Sequence, residues 1–253
     1  MNHSFDRFLI PITPPRTSGI RMVLFPYAGA GASIYRSWSK FLSSQFECFA
    51  VQPPGRETRF SEALLTSVGD YAKHASAAIA CLPDDRPLIL FGHSLGALAA
   101  YETAVELSHC GRSLACLVVS GRQDPDTPSK RKHISHLEDD EFVRQMATYN
   151  GTPAQVLENT ELLELLLPMI KADFSMSEKY AGRSKIVLDC PVLALGSHDD
   201  DWLDTDAVKR WSEVSTGKFV ERWFAGDHFY LNHHTSELVE FLTQHISLLY
   251  KRP

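Results

Sequence analysis

Leu88-Ile89-Leu90-Phe91-Gly92-His93-Ser94-Leu95-Gly96 is the stretch around which the chain is organised. Leu88 to Phe91 is a short apolar run of the kind a fully buried strand carries, and it stops at Gly92. Gly96-Ala97-Leu98-Ala99-Ala100 and Tyr101 to Leu107 then read as a helix. Strand, sharp turn and helix make Gly92-His93-Ser94-Leu95-Gly96 a nucleophile elbow. Ser94 is expected in a strained turn with its hydroxyl at the carboxyl end of the sheet. Glycine at 92 and 96 lets strand and helix pass closely. The Leu95 amide, at the helix start, would donate to an oxyanion. The competing reading is a tight turn whose serine only caps the helix.

Upstream, residues 1–19 read as an irregular, proline-bearing lead-in. Ile20 to Phe25 is a buried strand that runs into Pro26-Tyr27-Ala28-Gly29-Ala30-Gly31-Ala32. If Ser94 is a nucleophile, this loop supplies the second oxyanion amide, from Ala28; otherwise it is a glycine-rich turn before a helix. It lacks the lysine and hydroxyl of a phosphate loop. A helix is expected over 33–42 with Ser33 as its cap, a strand over 46–51, and a turn at Pro53-Pro54-Gly55-Arg56. Arg56 and Arg59 are expected to be solvated rather than ligands of an anion. A helix over 67–82, the elbow strand and helix, and a strand over 114–120 complete an alternation that indicates an α/β fold: a mostly parallel sheet covered on both faces.

The rhythm breaks between Arg122 and Asp189. Residues 122–133 are polar and proline-bearing, and 138–149, 155–167 and 168–180 look helical. The chain therefore reads as one domain, 1–253, with a helical insertion over 122–189. Such an insertion is a lid over a binding cleft or a static cap. The alternation returns with a strand at 192–196, then Ser197-His198-Asp199-Asp200-Asp201, a helix over 207–214, a strand over 218–224, Ala225-Gly226-Asp227-His228-Phe229, and a helix over 236–250.

A nucleophilic serine needs a base, and the base an orienting acid. His228 follows the last strand and so lies on the same sheet edge as Ser94. His93 is expected to point away, and His233 and His234 lie past the loop. The acid belongs at another strand end, where the cluster of three aspartates stands. Asp200 is favoured, with Asp199 close behind and Asp124 as a separate rival. Three adjacent carboxylates cannot all be buried unpaired, so at least one faces solvent. A metal site built on His198 and these aspartates explains less.

The 253 residues are 44% apolar and carry a net charge of −6, which argues against a broad nucleic-acid-binding face. No apolar run is long enough to span a membrane, and no signal pattern opens the chain. The five cysteines are scattered, with no paired metal-ligand spacing, and are expected to be buried and reduced. A cytoplasmic protein is the expectation, and a monomer.

The chain resembles the stand-alone type II thioesterases of nonribosomal peptide and polyketide synthases, which have the α/β-hydrolase fold. The resemblance rests on Phe25-Pro26-Tyr27-Ala28-Gly29-Ala30-Gly31, Gln52-Pro53-Pro54-Gly55-Arg56, the elbow, His136-Leu137-Glu138-Asp139-Asp140-Glu141-Phe142 and Gly226-Asp227-His228-Phe229-Tyr230-Leu231. It implies Ser94 as nucleophile, His228 as base, Asp200 as orienter, and the amides of Ala28 and Leu95 as the oxyanion hole. Asp227 replaces the usual glycine before the histidine. The implied substrate is an acyl group on the phosphopantetheine arm of an acyl or peptidyl carrier protein. No cofactor is implied, because the arm belongs to the substrate. The implied role is clearing stalled acyl groups. Lys130-Arg131-Lys132-His133 is a candidate docking patch for an acidic carrier. The triad alone would equally serve a small-molecule carboxylesterase or an acyltransferase, and a silent binding module could keep the fold.

Overall fold

Strand residues two apart share a face, and both faces of each central strand here are apolar. The structure, a computed structural model, describes residues 7–83, 86–182 and 186–249. Its strands are β1 Leu9–Pro11, β2 Ile20–Phe25, β3 Phe46–Val51, β4 Leu88–His93, β5 Cys116–Ser120, β6 Val192–Ser197 and β7 Phe219–Phe224. Its helices are α1 Val68–Ala80, α2 Leu95–His109, α3 Asp139–Ala147, α4 Ala154–Leu157, α5 Thr160–Glu178, α6 Thr205–Lys209, α7 Tyr230–His233 and α8 Thr235–Leu249. The sheet order is β1-β3-β2-β4-β5-β6-β7, with β1 antiparallel to β3 and the remaining pairs parallel. Val23, Leu90, Leu117 and Ala194 pack on one side with α1 and α2. Met22, Ile89, Val118 and Leu193 pack on the other with α8 and Tyr35 and Trp38. The expected mostly parallel, doubly covered sheet is therefore present. The strand order reverses direction between β2 and β4, which opens a crevice above their carboxyl ends.

Between β5 and β6 lie α3, α4 and α5, with a core of their own formed by Ile134, Phe142, Met146, Leu167, Met169 and Ile170. The break expected at Pro168 does not occur: α5 runs through it. Proline removes the hydrogen bond to the Glu164 carbonyl, but Pro168 and Glu164 are both exposed, so water can take that carbonyl. The buried residues on either side, Leu167, Met169 and Ile170, hold the two halves in line.

Four further expectations are corrected. The lead-in contains β1, too short to show a period, with Pro11 tolerated because the strand is at the sheet edge. The helix expected over 33–42 is a 3₁₀ helix, Ala32–Lys40, preceded by Gly31 rather than capped by Ser33. Its buried residues Ala32, Tyr35 and Trp38 recur every third position, the period of a 3₁₀ helix. The helix expected over 207–214 starts earlier, at Thr205, because the Asp204 carboxylate accepts from the amides of Asp206 and Ala207, and it tightens to 3₁₀ over Arg210–Val214. Of the cysteines, Cys48, Cys116 and Cys190 are buried but Cys81 and Cys110 are exposed, against expectation. Among the described residues no helix is long and apolar enough to cross a membrane.

Candidate active site

β4 ends at His93 and α2 begins at Leu95, so Ser94 alone makes the turn, at φ 56° and ψ −116°. A non-glycine residue there costs about 1–3 kcal/mol of backbone strain. The strain is held by packing on both sides. A Cβ on Gly92 would stand 1.9 Å from the Gly96 carbonyl oxygen, and one on Gly96 would stand 2.2 Å from the Phe25 carbonyl oxygen. The Ser94 amide donates to the Ser120 carbonyl at 2.8 Å, pinning the turn to β5. The Ser94 side chain makes no capping hydrogen bond, so it is not spent on the helix.

β6 and β7 are parallel neighbours, and the loops at their carboxyl ends are laced together. The His198 amide donates to the Phe224 carbonyl at 3.0 Å, and the Ser197 hydroxyl to the Asp227 carbonyl at 2.8 Å. This brings His228 Nδ1 to 2.5 Å from Asp200 Oδ2. The other oxygen, Asp200 Oδ1, accepts from the Trp202 amide at 3.0 Å. Asp200 is buried while Asp199 and Asp201 are exposed, so the local cluster resolves to one carboxylate. Asp199 instead accepts from the Gly226 amide at 3.2 Å. The rival Asp124 is engaged by Arg210 at 3.2 Å and by Thr127. His198 lies against the Trp223 ring, away from this pair. Asp227 closes the histidine turn by accepting from the Phe229 amide at 2.9 Å, work that a glycine could not do.

Burial first, then the Arg131 and Arg122 cations, hold His228 well below the ordinary imidazole range. Burial raises Asp200, opposed by the Trp202 amide and Arg131. At neutral pH the imidazole is therefore uncharged and its Nδ1–H faces the carboxylate. His228 Nε2 is left as an acceptor, buried and with no protein partner among the described residues. Ser94 and His228 both line a cavity of about 530 Å³ in the crevice. The Ala28 loop forms part of its wall, and Met146, Val156, Leu166, Ile170 and Phe174 of the inserted helices form its apolar roof. A cavity of this size and apolar lining has room for an acyl group.

The family model described as "Thioesterase domain" matches residues 21–246. The chain belongs to the thioesterase family. It is 36% identical over 235 residues to "Thioesterase PikA5" of Streptomyces venezuelae, covering 92% of this chain and 83% of that protein. It is 32% identical over 231 residues to "Gramicidin S biosynthesis protein GrsT" of Aneurinibacillus migulanus, covering 91% and 90%. Among solved structures it superposes on the type II thioesterase BorB of the borrelidin cluster with a TM-score of 0.87, at 32% identity, covering 95% of this chain and 98% of that one. The resemblance drawn from the sequence is borne out, and with it the α/β-hydrolase fold and a hydrolase acting on thioesters.

Several residues of this thioesterase that matter to the site carry no local signal. Arg56, expected in solvent, is buried and forms a bidentate pair with Asp173 of α5, at 2.5 and 2.8 Å. Asp173 also accepts from the Gly29 amide at 2.8 Å. One carboxylate thus ties the inserted helix to the loop that carries Ala28. Arg59 is buried as well, donating to the Gln52 carbonyl and to Glu62. His93 does not point away: its ring lies 4.9 Å from that of His228, with Nδ1 2.8 Å from the Ser120 hydroxyl, which in turn meets the Tyr230 hydroxyl at 2.6 Å. Arg131 is half-buried over the Trp202 ring, at 3.6 Å, and Trp202 in turn packs against His228. Lys130 is exposed and paired with Asp204.

Asp173→Ala would leave Arg56 buried without its counter-ion. Removing one partner of a buried pair costs about 3–5 kcal/mol. The expected result is a matching loss of unfolding free energy in urea, with lower turnover because the Gly29 peptide loses its anchor. An unchanged denaturation midpoint would show that the pair does not hold the insertion to the sheet.

Proposed function

We propose that this thioesterase hydrolyses acyl groups from the phosphopantetheine arm of carrier proteins in nonribosomal peptide or polyketide assembly, clearing stalled units. The observation that carries the mechanism is the His228–Asp200 pair at 2.5 Å on the cavity that also holds Ser94. His228 Nε2 takes the Ser94 proton as the hydroxyl oxygen attacks the thioester carbonyl. The amides of Leu95 and Ala28 hold the tetrahedral oxyanion; one such donor contributes about 3–4 kcal/mol. The carbon–sulfur bond breaks, the pantetheine thiol takes the proton, and acyl-Ser94 remains. His228 then takes a proton from water as the water oxygen attacks the acyl carbon, and returns it to Ser94 Oγ as the ester bond breaks and the acid leaves. Asp200 holds the imidazole tautomer and balances its charge in both steps. No cofactor takes part, since the arm is substrate. Relatives named for antibiotic biosynthesis support the setting, among them the gramicidin S protein. A cytoplasmic monomer suits a protein that visits carrier domains in turn.

The test is hydrolysis of acetyl- and longer acyl-carrier proteins beside matched N-acetylcysteamine thioesters and p-nitrophenyl esters. A much higher kcat/KM on the carrier-bound thioester is expected. Preference for the free oxygen ester, with no gain from the carrier, would place the protein among general esterases.

The pH profile follows from the buried imidazole. Protonated His228 cannot accept the serine proton, so kcat/KM falls on the acid side. Because His228 is held below the ordinary value of about 6.5, the acid limb is expected below that pH. An acid limb above it, in steady-state profiles with a small thioester, would contradict an uncharged resting base.

A further inference from the structure

His93, Ser120 and Tyr230 are completely buried, at the carboxyl ends of β4 and β5 and at the start of α7. His93 Nδ1 is 2.8 Å from the Ser120 hydroxyl, and that hydroxyl is 2.6 Å from the Tyr230 hydroxyl. With Tyr230 donating to Ser120 and Ser120 to His93 Nδ1, both hydroxyl protons have an acceptor. The reverse direction leaves the Tyr230 proton without one among the described residues. Burial holds the His93 ring uncharged. Three apolar side chains would fill this space at less cost, since a buried polar group must keep its partners. His93 Nε2 has none among the described residues, and the His228 carbonyl is the backbone acceptor beside the ring. Room is nonetheless made for the imidazole: a Cβ on Gly121 would stand 2.4 Å from His93 Cε1. The three groups end on both catalytic turns. His93 precedes Ser94, whose amide donates to the Ser120 carbonyl at 2.8 Å. Tyr230 lies two residues beyond His228, and its amide closes that turn by donating to the Asp227 carbonyl at 3.1 Å. Ser120 thus holds the turn of the nucleophile through its backbone and the turn of the base through its side chain.

We propose that the Ser120 hydroxyl is the hub that sets the distance between Ser94 and His228, with His93 and Tyr230 as its two arms. All three are positioning residues, and none of them lines the cavity. The inference rests on Ser94 and His228 carrying out the proposed thioester hydrolysis. Proton transfer needs His228 Nε2 within about 2.6–3.2 Å of the Ser94 oxygen. The contact with Asp200 is one hydrogen bond at Nδ1, and a ring held at one point can swing about it. His93 and Trp202, at 4.9 and 5.0 Å between ring centroids, limit that swing. Trp202 belongs to the loop of the acid, whereas His93 ends the strand that carries the nucleophile. Of the two, His93 is therefore the one that ties base to nucleophile, and the Ser120 hydroxyl keeps its ring in place. A misplacement of about 1 Å between reacting groups can cost about a hundredfold in rate.

The experiment measures kcat and KM for acetyl-pantetheine in the parent, in Ser120→Ala, in Tyr230→Phe, in the double variant, and in His93→Gln and His93→Phe. Stoichiometric labelling with a fluorophosphonate counts competent sites, so a misfolded fraction lowers the count and not the kcat per site. The labelling rate is read in parallel, because it depends on the same approach of His228 to Ser94. Ser120→Ala and Tyr230→Phe should each lower kcat per site by about tenfold to a hundredfold, with KM little changed. The double variant should fall no further than about twofold below the weaker single variant, since either change breaks the same chain. His93→Gln should keep more activity than His93→Phe, which fills the space but makes no hydrogen bond; a packing role alone would reverse that order. A kcat per site within about twofold of the parent in both single variants, or losses that simply add in the double variant, overturns the hub and leaves the thioesterase standing. A parent that labels but hydrolyses no acyl-pantetheine overturns the thioesterase reading, and the labelling rates of the same variants then decide the hub by the same criteria.

Discussion

Ser94→Ala is expected to fold like the parent and to lose turnover by about 10⁵-fold or more, the scale seen when a triad nucleophile is removed. Folding should survive because the hydroxyl makes no cap and alanine keeps the same Cβ in the same φ 56° turn. The packing that enforces the turn belongs to Gly92, Gly96 and the Ser120 carbonyl, none of which changes. The loss is large because every covalent step passes through Ser94 Oγ. Residual hydrolysis would come from the Leu95 and Ala28 amides acting on a bound thioester. Single-turnover hydrolysis of an acyl-pantetheine, with circular dichroism and a melting curve beside it, checks the result. A folded variant within tenfold of the parent would end the acyl-enzyme mechanism.

Asp200→Asn is expected to cost about 10⁴-fold in kcat with little change in KM. The asparagine amide can keep the side chain in place, since Oδ1 can still accept from the Trp202 amide. It cannot supply the negative charge that stabilises a protonated His228, and it favours the wrong tautomer when its NH₂ faces Nδ1. Asp199→Asn is the matched control. Asp199 is exposed and, among the described residues, its carboxylate accepts only from the Gly226 amide, so its substitution should change kcat by no more than about threefold. If the Asp199 variant lost more activity than the Asp200 variant, the acid would be assigned to the wrong carboxylate.

Near the active site, what could be read in advance was local. Leu88 to Phe91 is buried on both sides, and that alone marks a central strand. Glycine at 92 is demanded by the Gly96 carbonyl within the turn itself, whereas glycine at 96 is demanded by the Phe25 carbonyl of the neighbouring strand. His228 could be placed because parallel strands end on one edge, so any residue following a strand reaches that edge. The motif segments carried the family, since a turn such as Pro53-Pro54-Gly55-Arg56 is specific at the level of sequence.

What was not legible depended on atoms far apart in the chain. The three aspartates at 199–201 have the same local chemistry. Only the meeting of the β6 and β7 loops buries Asp200 against His228 and leaves its neighbours in water. The fate of Arg56 is settled 117 residues away, at Asp173. Without that partner an arginine in a turn is rightly expected in solvent. Arg131 sits in a charged run that reads as surface, and the Trp202 ring draws it inward over the cavity. The sheet, the elbow and the sheet edge on which Ser94 and His228 stand are written in the chain's own pattern, because they follow from burial periodicity and the steric demands of a tight strand-to-helix turn. Tertiary packing settles which carboxylate meets His228, that Asp173 anchors the Gly29 amide beside Ala28, and that Arg131 lines the cavity with Ser94. Burial and ion pairing are properties of the assembled interior, and they reach a residue from parts of the chain that its own neighbours do not encode.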